Sequence, residues 1–151
     1  MHAQKSPLIL EETFIIASNI LSVPSPEEFQ GDLNDFSIDI DFDIFTNEDD
    51  AEARRIVVSV QGNDQENPVP GYCFSIVAQG TFNYGKSVKV NKKDKDVLIT
   101  HSAIPMVIGQ IRSYLSTLTA HGPFGIYLLP AIDMNDLIKQ KFDTSGKDDQ
   151  V

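Results

Sequence analysis

The sequence predicts an α+β fold, in which a four-stranded antiparallel sheet carries a long and a short C-terminal helix on one face. The sheet is expected as a meander of strands preceded by an N-terminal strand and a crossover loop. Apolar and polar residues alternate between residues 36 and 60, which is the period of a strand with one buried face. After residue 103 the apolar residues recur at spacings of three and four, which is the period of a helix.

The first strand is expected over residues 8–23, which are rich in Ile, Leu and Phe. Its alternation is imperfect, so this strand is either covered on both faces or interrupted by bulges. Pro24 and Pro26 end the strand, and the polar residues 27–35 are expected to form the crossover loop.

The meander strands are expected at residues 36–44, 54–61 and 72–82. The apolar residues of the first two meander strands lie on one face of the sheet only if the numbers of each pair of facing residues add up to an even number. A sum of 98 would pair Phe42 with Ile56. The lysine-rich residues 83–97 are expected to form a loop, with a short strand at 87–90 as an option.

A row of aspartates, Asp39, Asp41 and Asp43, lies on the other face of the second strand. Alternate residues on a strand stand about 7 Å apart, which is too far for neighbouring carboxylates to converge easily on one Ca²⁺. We therefore interpret this row as a solvated face.

The long helix carries two stripes of residues at helical spacing. The apolar stripe follows Ser102, the expected N-cap, and consists of Ile104, Ile108, Ile111, Leu115 and Leu118. The second stripe consists of small residues: Gly109, Ser113, Ser116 and Ala120. Such a row would let another helix approach closely, which predicts an oligomer interface; the alternative is a lightly packed polar face. A short helix follows, capped by Asp133 and carrying Met134, Leu137, Ile138 and Phe142.

Length and composition limit the classes of function. A chain of 151 residues predicts one domain, which we place at residues 8–142 between flexible termini at 1–7 and 143–151. The formal net charge of −10 disfavours nucleic acid as a partner. No apolar run reaches the ~18 residues of a membrane span, so no membrane insertion is expected. The single cysteine, Cys73, and the missing signal-peptide pattern predict a cytoplasmic protein.

The sequence carries no pattern typical of an enzyme, and we expect no catalytic residue, no metal and no cofactor. Cys73 and the histidines His2, His101 and His121 lack the spacing of metal ligands. Cys73 lies in an apolar strand, where a cysteine is more often a small buried apolar residue than a nucleophile. A dyad of Cys73 with His101 or His121 stays open as a minor alternative. The sequence also lacks the phosphate-binding glycine motifs and the G-x-S-x-G elbow.

Three stretches resemble the SecB family of export chaperones. Residues 71–82, Gly-Tyr-Cys-Phe-Ser-Ile-Val-Ala-Gln-Gly-Thr-Phe, are similar to the family's fourth strand. Residues 114–130 contain the steps His-Gly-Pro-Phe and Leu-Leu-Pro, and they resemble the end of the family's main helix and the turn after it. Residues 130–137 resemble the start of its last helix. The chain departs from the family at residues 101–105, which read His-Ser-Ala-Ile-Pro instead of containing Cys-Pro-Asn, and in its shorter, less acidic tail.

The resemblance implies a homotetramer, a dimer of dimers, that holds unfolded polypeptides on apolar grooves without ATP. The implied clients are preproteins for export, and the translocase motor is a further partner that the short tail leaves open. SecB-like relatives also serve as dedicated chaperones of antitoxins, which is the alternative function. A small adaptor or structural domain without client binding is a second alternative.

The loop after the long helix, residues 124–129, contains more large apolar side chains than a short loop easily buries. We expect a peptide-binding groove that combines this loop with the first strand, the crossover loop and the last helix. Its predicted residues are Leu21, Val23, Phe29, Leu33, Phe124, Tyr127, Met134 and Leu137. The alternative, weighted equally, is that the loop residues pack the last helix on the sheet. Clients would bind through apolar and aromatic side chains, helped by extended main-chain pairing.

Overall fold

The computed structural model describes residues 1–85 and 89–145, apart from the side chains of residues 144 and 145. The strands are β1 (Leu8–Val23), β2 (Ile38–Thr46), β3 (Ala53–Gly62) and β4 (Gly71–Tyr84). The helical elements are α1 (Lys92–Leu98), a π-helical turn (Ile99–Ala103), α2 (Ile104–Thr119) and α3 (Met134–Ser145). The predicted α+β architecture is confirmed.

The strands form one antiparallel sheet in the order β1-β4-β3-β2, so β2, β3 and β4 are the predicted meander and β1 pairs with β4. Register shifts in β1 lie between Leu10 and Glu12 and between Ile15 and Ala17. Each bulge adds a residue and so reverses which side chains face the core. Of the two explanations for the imperfect alternation of β1, the bulged strand is therefore the right one.

The register of the β2–β3 hairpin differs from the prediction. Paired residue numbers sum to 100, so Phe42 faces Val58 and Ile44 faces Ile56. The predicted sum of 98 was wrong, whereas its even parity and the shared apolar face are confirmed. Parity cannot separate the two registers, because both bury the same side chains. In the observed register Phe45 lies opposite Arg55, whose guanidinium is 4.6 Å from the ring centroid.

The core lies between one face of the sheet and α2. The sheet contributes alternate residues to it, including Ile56, Val58 and Val60, and α2 contributes the buried residues Ile104, Val107, Ile108, Ile111 and Leu115. Gly80 on β4 permits this close approach, because a Cβ added there would lie 2.8 Å from a methyl carbon of Val107. We call this face of the sheet the helix-covered face.

The helical region begins earlier than predicted. The side chain of Asn91 caps α1 by accepting a hydrogen bond from the N–H of Asp94 at 2.9 Å. α1 continues through the π-helical turn into α2, so Ser102 lies within helical structure and is not an N-cap. The loop predicted at 83–97 is thus wrong over residues 92–97, which are helical, and over residues 83 and 84, which end β4. Of the optional strand at 87–90, residues 87 and 88 lie outside the described residues, and residues 89 and 90 are not in a strand.

α3 lies along the β2 edge of the sheet. Its predicted cap is confirmed, because the Asp133 carboxylate accepts hydrogen bonds from the N–H groups of Asn135 and Asp136 at 3.0 and 3.2 Å. Near the other end, the Lys141 ammonium lies 2.7 Å from a carboxylate oxygen of Asp41 and 3.2 Å from one of Asp43. α3 extends to Ser145, beyond the predicted end at residue 142, and residues 146–151 lie outside the described residues.

The crossover loop is attached to the start of β4 through Asn34. Its φ of 67° is a left-handed conformation that Asn tolerates better than most residues. Its side-chain oxygen accepts a hydrogen bond from the N–H of Tyr72 at 2.7 Å, and its own N–H donates to the Pro70 carbonyl at 3.2 Å. This attachment holds the crossover loop beside the chain that follows α2.

Candidate functional site

The chain between α2 and α3, segment 122–130, is held in place by hydrogen bonds to its backbone. The buried Tyr72 hydroxyl accepts a hydrogen bond from the N–H of Phe124 at 3.2 Å and donates to the carbonyl of Gly125 at 2.8 Å. The chain passes so close to this hydroxyl that a Cβ at Gly122 would overlap it. The start of the segment is therefore fixed to β4.

Two side chains of α2 fix the rest of the segment. Buried Thr119 accepts a hydrogen bond from the N–H of Tyr127 at 2.9 Å. The Arg112 guanidinium donates from Nε to the carbonyl of Leu129 at 2.8 Å and from Nη2 to the carbonyl of Pro130 at 2.9 Å. Backbone groups of a connection usually bond to water, so these bonds make segment 122–130 a rigid element of the fold.

Side chains of the segment alternate between the core and solvent. Leu129 is buried and Tyr127 half-buried, whereas Ile126 is 63% and Leu128 67% exposed. This period of two is that of an extended chain, which Pro130 also favours at the residue before it. Ile126 and Leu128, which we call the exposed pair, are thus large apolar side chains held outward by a fixed backbone.

The inward side chains join the crossover loop to β4. The Tyr127 ring stacks on Phe36 with centroids 5.6 Å apart and lies 5.4 Å from Phe74. Phe124 meets Tyr72 edge-to-face at 5.4 Å. Burial raises the pKa of the Tyr127 hydroxyl, so this ring stays neutral. These rings form the support beneath the exposed pair.

The structure gathers some of the predicted groove residues around this support. Phe124 and Tyr127 are half-buried within it, and Met134 and Leu137 pack from α3 against the same core. Leu33, in the crossover loop, is 43% exposed. The packing of these side chains agrees with the alternative in which the loop joins α3 to the sheet.

The other predicted groove residues lie elsewhere. Leu21 pairs with Cys73 and Val23 with Gly71, so both lie on the sheet face opposite the helix-covered face. Phe29 is half-buried in the crossover loop, and its ring folds back to within 2.7 Å of where a Cβ at Gly31 would be. The structure therefore does not bring Leu21 and Val23 onto one surface with Tyr127, and a binding role for them stays a prediction.

The chain before β2, whose Phe36 ring stacks on Tyr127, is acidic, and so is the start of α3. The crossover loop carries Glu27, Glu28, Asp32 and Asp35, and residues 24–37 contain no lysine or arginine. The start of α3 adds two more exposed carboxylates, Asp133 and Asp136. Arg112 is the one lysine or arginine of α2, and its guanidinium already donates hydrogen bonds to two carbonyls of the segment. This charge distribution favours a cationic partner.

The small-residue stripe of α2 faces outward. Ser113 and Ala120 are exposed, Gly109 and Ser116 are half-buried, and a Cβ added at Gly109 would meet no atom within 4 Å. The stripe is therefore free to contact another chain, and its role as an oligomer interface stays a prediction.

Sequence reasoning missed the residues that fix the segment. Tyr72, Arg112 and Thr119 were not candidate site residues, and Ile126 and Leu128 were treated only as part of an apolar loop. One signal was available at Thr119. This residue lies four positions after Leu115 and continues the buried stripe, whereas the sequence analysis had placed Leu118 there. A hydroxyl on a buried stripe needs a hydrogen-bond partner.

Other kinds of site find little support in residues 1–85 and 89–143. No group of three His, Cys, Asp or Glu side chains in this part of the chain could hold a metal ion. Cys73 is buried, and burial raises the pKa of its thiol. No helix of the described chain is long and apolar enough to cross a membrane.

The sheet order, the bulged first strand and the helices on one face define a SecB-like fold. Among solved structures the chain is similar to the Mycobacterium tuberculosis SecB-like chaperone Rv1957 in complex with a ChAD peptide from the Rv1956 HigA1 antitoxin. That match has a TM-score of 0.55 and 10% sequence identity, and it covers 83% of this chain and 88% of that chain. The SecB-like fold predicted from the sequence is confirmed.

A protein of unknown function from Streptococcus agalactiae also matches, with a TM-score of 0.44 and 12% identity over 82% of this chain and 97% of that chain. No family sequence profile and no curated protein sequence matches this chain. At these identities the similarity concerns the fold alone.

Proposed function

We propose that this protein is an ATP-independent chaperone, a holdase, that binds non-native polypeptides at segment 122–130. The observation that carries the proposal is the exposed pair, which hydrogen bonds from Tyr72, Thr119 and Arg112 hold outward. A binding surface that is already ordered loses little conformational entropy when a client binds, which raises affinity.

The size of the exposed pair limits what one site can do alone. Burying a large aliphatic side chain stabilises a complex by about 1.5–3 kcal/mol, so covering the exposed parts of both gives roughly 2–4 kcal/mol. That free energy corresponds to a Kd of about 1 mM or weaker. A client must therefore contact several such sites at once, and linked sites multiply the affinity.

This requirement supports an assembly with several copies of the site, and we propose the homotetramer, a dimer of dimers. The outward stripe of Gly109, Ser113, Ser116 and Ala120 is the proposed contact. Small side chains let two helices approach closely, and the open space around Gly109 leaves room for a partner helix.

The clients of this holdase are proposed to be unfolded chains with basic and apolar residues, because the crossover loop and the start of α3 are acidic and the chain has a net charge of −10. Preproteins for export in the cytoplasm are one such class, with the translocase motor as a further partner. A second candidate function is that of a dedicated antitoxin chaperone, and the similarity to a SecB-like chaperone in complex with an antitoxin peptide favours it. We also propose that the chain is not an enzyme, since the raised pKa of Cys73 opposes a nucleophilic role.

An aggregation assay tests the holdase proposal. The wild-type protein should keep a reduced, unfolded model protein soluble at stoichiometric ratio, with and without ATP. The double variant Ile126→Ser, Leu128→Ser should lose most of this activity while keeping its oligomeric mass. Ile9→Ser is the matched control, because Ile9 is also large and 50% exposed but lies on β1.

The outcome of this assay separates the candidates. Full activity of the double variant would place the binding site elsewhere, and an inactive wild type would exclude the general holdase and leave the dedicated chaperone and the adaptor domain without client binding. The affinities of the protein for several unrelated unfolded proteins and for the ChAD peptide of HigA1 distinguish the general holdase from the dedicated antitoxin chaperone. Similar affinity for all of them supports the general holdase, whereas binding of the antitoxin peptide alone supports the dedicated chaperone.

A further inference from the structure

Two bulges divide β1 into three parts with different registers. The numbers of facing residues on β1 and β4 add up to 92, 93 and 94 in these parts, as in the pairs Leu10 with Phe82, Phe14 with Gln79 and Ser18 with Ile76. A shift by one residue turns each side chain to the other face of the sheet. Residues 12–15, which lie between the bulges, therefore face opposite to the sides that either neighbouring register would give them.

The side chains between the bulges fit their surroundings poorly. Thr13 faces Gly80 and so points to the helix-covered face, where its Oγ1 is buried without a hydrogen-bond partner in the described chain. Phe14 points to the opposite side of the sheet, which we call the open face, and is 41% exposed. Ile16, the residue that the second bulge adds, is 51% exposed. A hydroxyl is thus buried where two large apolar side chains stay in solvent, which is the reverse of what burial favours.

We propose that β1 exchanges between this present register and a second register, in which the two bulges merge at Glu11 and Glu12. The second register continues the sum of 94 from Ala17 back to Thr13. Each register leaves two residues of β1 without a facing residue on β4, Glu11 and Ile16 in the present one and Glu11 and Glu12 in the second. The number of hydrogen bonds between the strands is therefore about equal, and the side chains decide the free-energy difference.

The side chains of the second register match the faces of the sheet. Phe14 and Ile16 would lie opposite the small residues Gly80 and Ala78, on the helix-covered face. The buried hydroxyl would turn to the open face, where water can bond to it. Ile15, which is half-buried in the present register, would turn outward too, so the exchange covers two large apolar side chains and uncovers one. These opposing changes keep the free-energy difference small, so both registers are populated.

A second copy of this chain against β1 is the competing explanation for the exposure of Phe14 and Ile16. A copy on the open face would cover Phe14 and leave the Thr13 hydroxyl unbonded, because this hydroxyl lies on the other face. Exchange of register accounts for the hydroxyl and the exposed side chains together. It also changes the open face, which presents Phe14 in the present register and Ile15 in the second, so a ligand of that face would select one of them.

Pairs of cysteines across β1 and β4 distinguish the two registers, in a background in which Cys73→Ala removes the native thiol. The variant Glu12→Cys, Thr81→Cys brings its thiols face to face only in the present register, and Ile15→Cys, Gln79→Cys only in the second. In the present register residues 15 and 79 point to opposite sides of the sheet, so their thiols cannot form a disulfide. Under mild oxidation the pair at 15 and 79 should nevertheless form one within a single chain.

Two further pairs calibrate the rate of cross-linking. Ala17→Cys, Val77→Cys faces in both registers. The pair at 15 and 79 should form about 10- to 1,000-fold more slowly than this control, in proportion to the population of a minor state. Ile15→Cys, Thr81→Cys faces in neither register and measures local unfolding of β1, so its rate should be lower still.

Thr13→Val connects the exchange to the buried hydroxyl. This change removes the unbonded group of the present register and exposes a methyl group in the second. It should therefore slow the disulfide between residues 15 and 79 about fivefold and leave the control pair at 17 and 77 unchanged.

The results separate exchange from its alternatives. The proposal is overturned if the pair at 15 and 79 forms no faster than the pair at 15 and 81, or if Thr13→Val does not slow it. A disulfide between two chains instead of within one would overturn it in favour of a second copy. If Ile15→Cys does not fold, NMR relaxation dispersion of the amides of residues 78–81 in the wild type decides: dispersion that Thr13→Val reduces supports the exchange, and its absence overturns it.

Discussion

Replacement of Tyr72 by Phe should loosen segment 122–130 while leaving the rest of the fold intact. The Tyr72 hydroxyl is bonded on both sides, to the N–H of Phe124 and to the carbonyl of Gly125, and it lies 3.2 Å from the carbonyl of Thr119. Its removal leaves a donor and an acceptor of the segment without their partner. The aromatic ring remains, so the core keeps its packing.

The expected loss follows from these contacts. An unsatisfied buried polar group costs about 1–3 kcal/mol, and here Phe124 is half-buried and Gly125 exposed, so water reaches part of the site. We therefore take the lower end for each group and expect the free energy of unfolding to fall by about 2 kcal/mol. Tyr84→Phe is the matched control, because its buried hydroxyl makes a single hydrogen bond, 3.0 Å to the carbonyl of Lys95. Its loss should be about 1 kcal/mol.

Urea denaturation measures the loss, with an unchanged m-value as the sign that both variants keep a cooperative fold. Amide hydrogen exchange locates it: the N–H groups of Phe124 and Tyr127 should exchange faster in Tyr72→Phe and not in Tyr84→Phe. Client affinity should fall with the loss of order in the segment. The reasoning is refuted if Tyr72→Phe costs no more than Tyr84→Phe and leaves these two amides protected, since ring packing would then hold the segment.

Three further changes have defined outcomes. Thr13→Val should raise the free energy of unfolding by about 1 kcal/mol in urea, because Thr13 Oγ1 is buried without a hydrogen-bond partner in the described chain. The pKa of Asp41 is lowered from 3.8, chiefly by its hydrogen bond to Lys141, so this pair stabilises the fold above pH 3.8 and ceases to do so as the pH falls through the lowered pKa. Lys141→Met should cost less than about 1 kcal/mol at pH 7, because Asp41 is largely exposed, and this cost, measured by urea denaturation, should shrink as the pH falls through the lowered pKa of Asp41. Gly109→Leu should keep the fold by circular dichroism and lose the tetramer by light scattering; an unchanged mass would contradict the proposed interface.

The sheet was predictable because its signal is local. Alternation along β2 and β3 places Phe42 and Ile56 on the core side without any knowledge of the rest of the chain. The register was not predictable, since registers two residues apart bury the same side chains and the connecting turn chooses between them. The bulges of β1 were foreseen only as one of two explanations for its irregular pattern.

The start of the helical region was missed for a different reason. The buried stripe of α2, continued backwards at regular spacing from Ile104, would reach Thr100 and Val97, which are polar or exposed. The residues that actually face the core are Ile99 and Ala103, because the π-helical turn shifts the phase of the pattern. A search for one constant period therefore ends at residue 104.

The candidate site was predicted as a region and not as a set of residues. Large apolar side chains between residues 124 and 129 indicated an unusual loop, yet Phe124 and Tyr127 were chosen as binding residues and Ile126 and Leu128 were not. Which side chains of an extended segment point outward depends on where its backbone is bonded. Those bonds come from Tyr72, which is distant in sequence, and from Thr119 and Arg112 on α2, so the sequence alone could not identify the exposed pair.

Together, α1, the π-helical turn at Ile99–Ala103 and α2 form one continuous helical stretch. Because of the turn, this stretch does not tolerate the loss of a residue. Such a turn accommodates an additional residue within a helix, and each residue of an α-helix corresponds to a rotation of about 100°. Deletion of one residue from the turn would restore a regular helix and rotate α1 by about that angle relative to α2. Lys95 now lies 2.6 Å from the Glu52 carboxylate and 4.8 Å from the centre of the Tyr84 ring. After such a deletion Lys95 would point to another side of the helical stretch. α1 would then lose its attachment to the sheet although no contacting residue had been replaced.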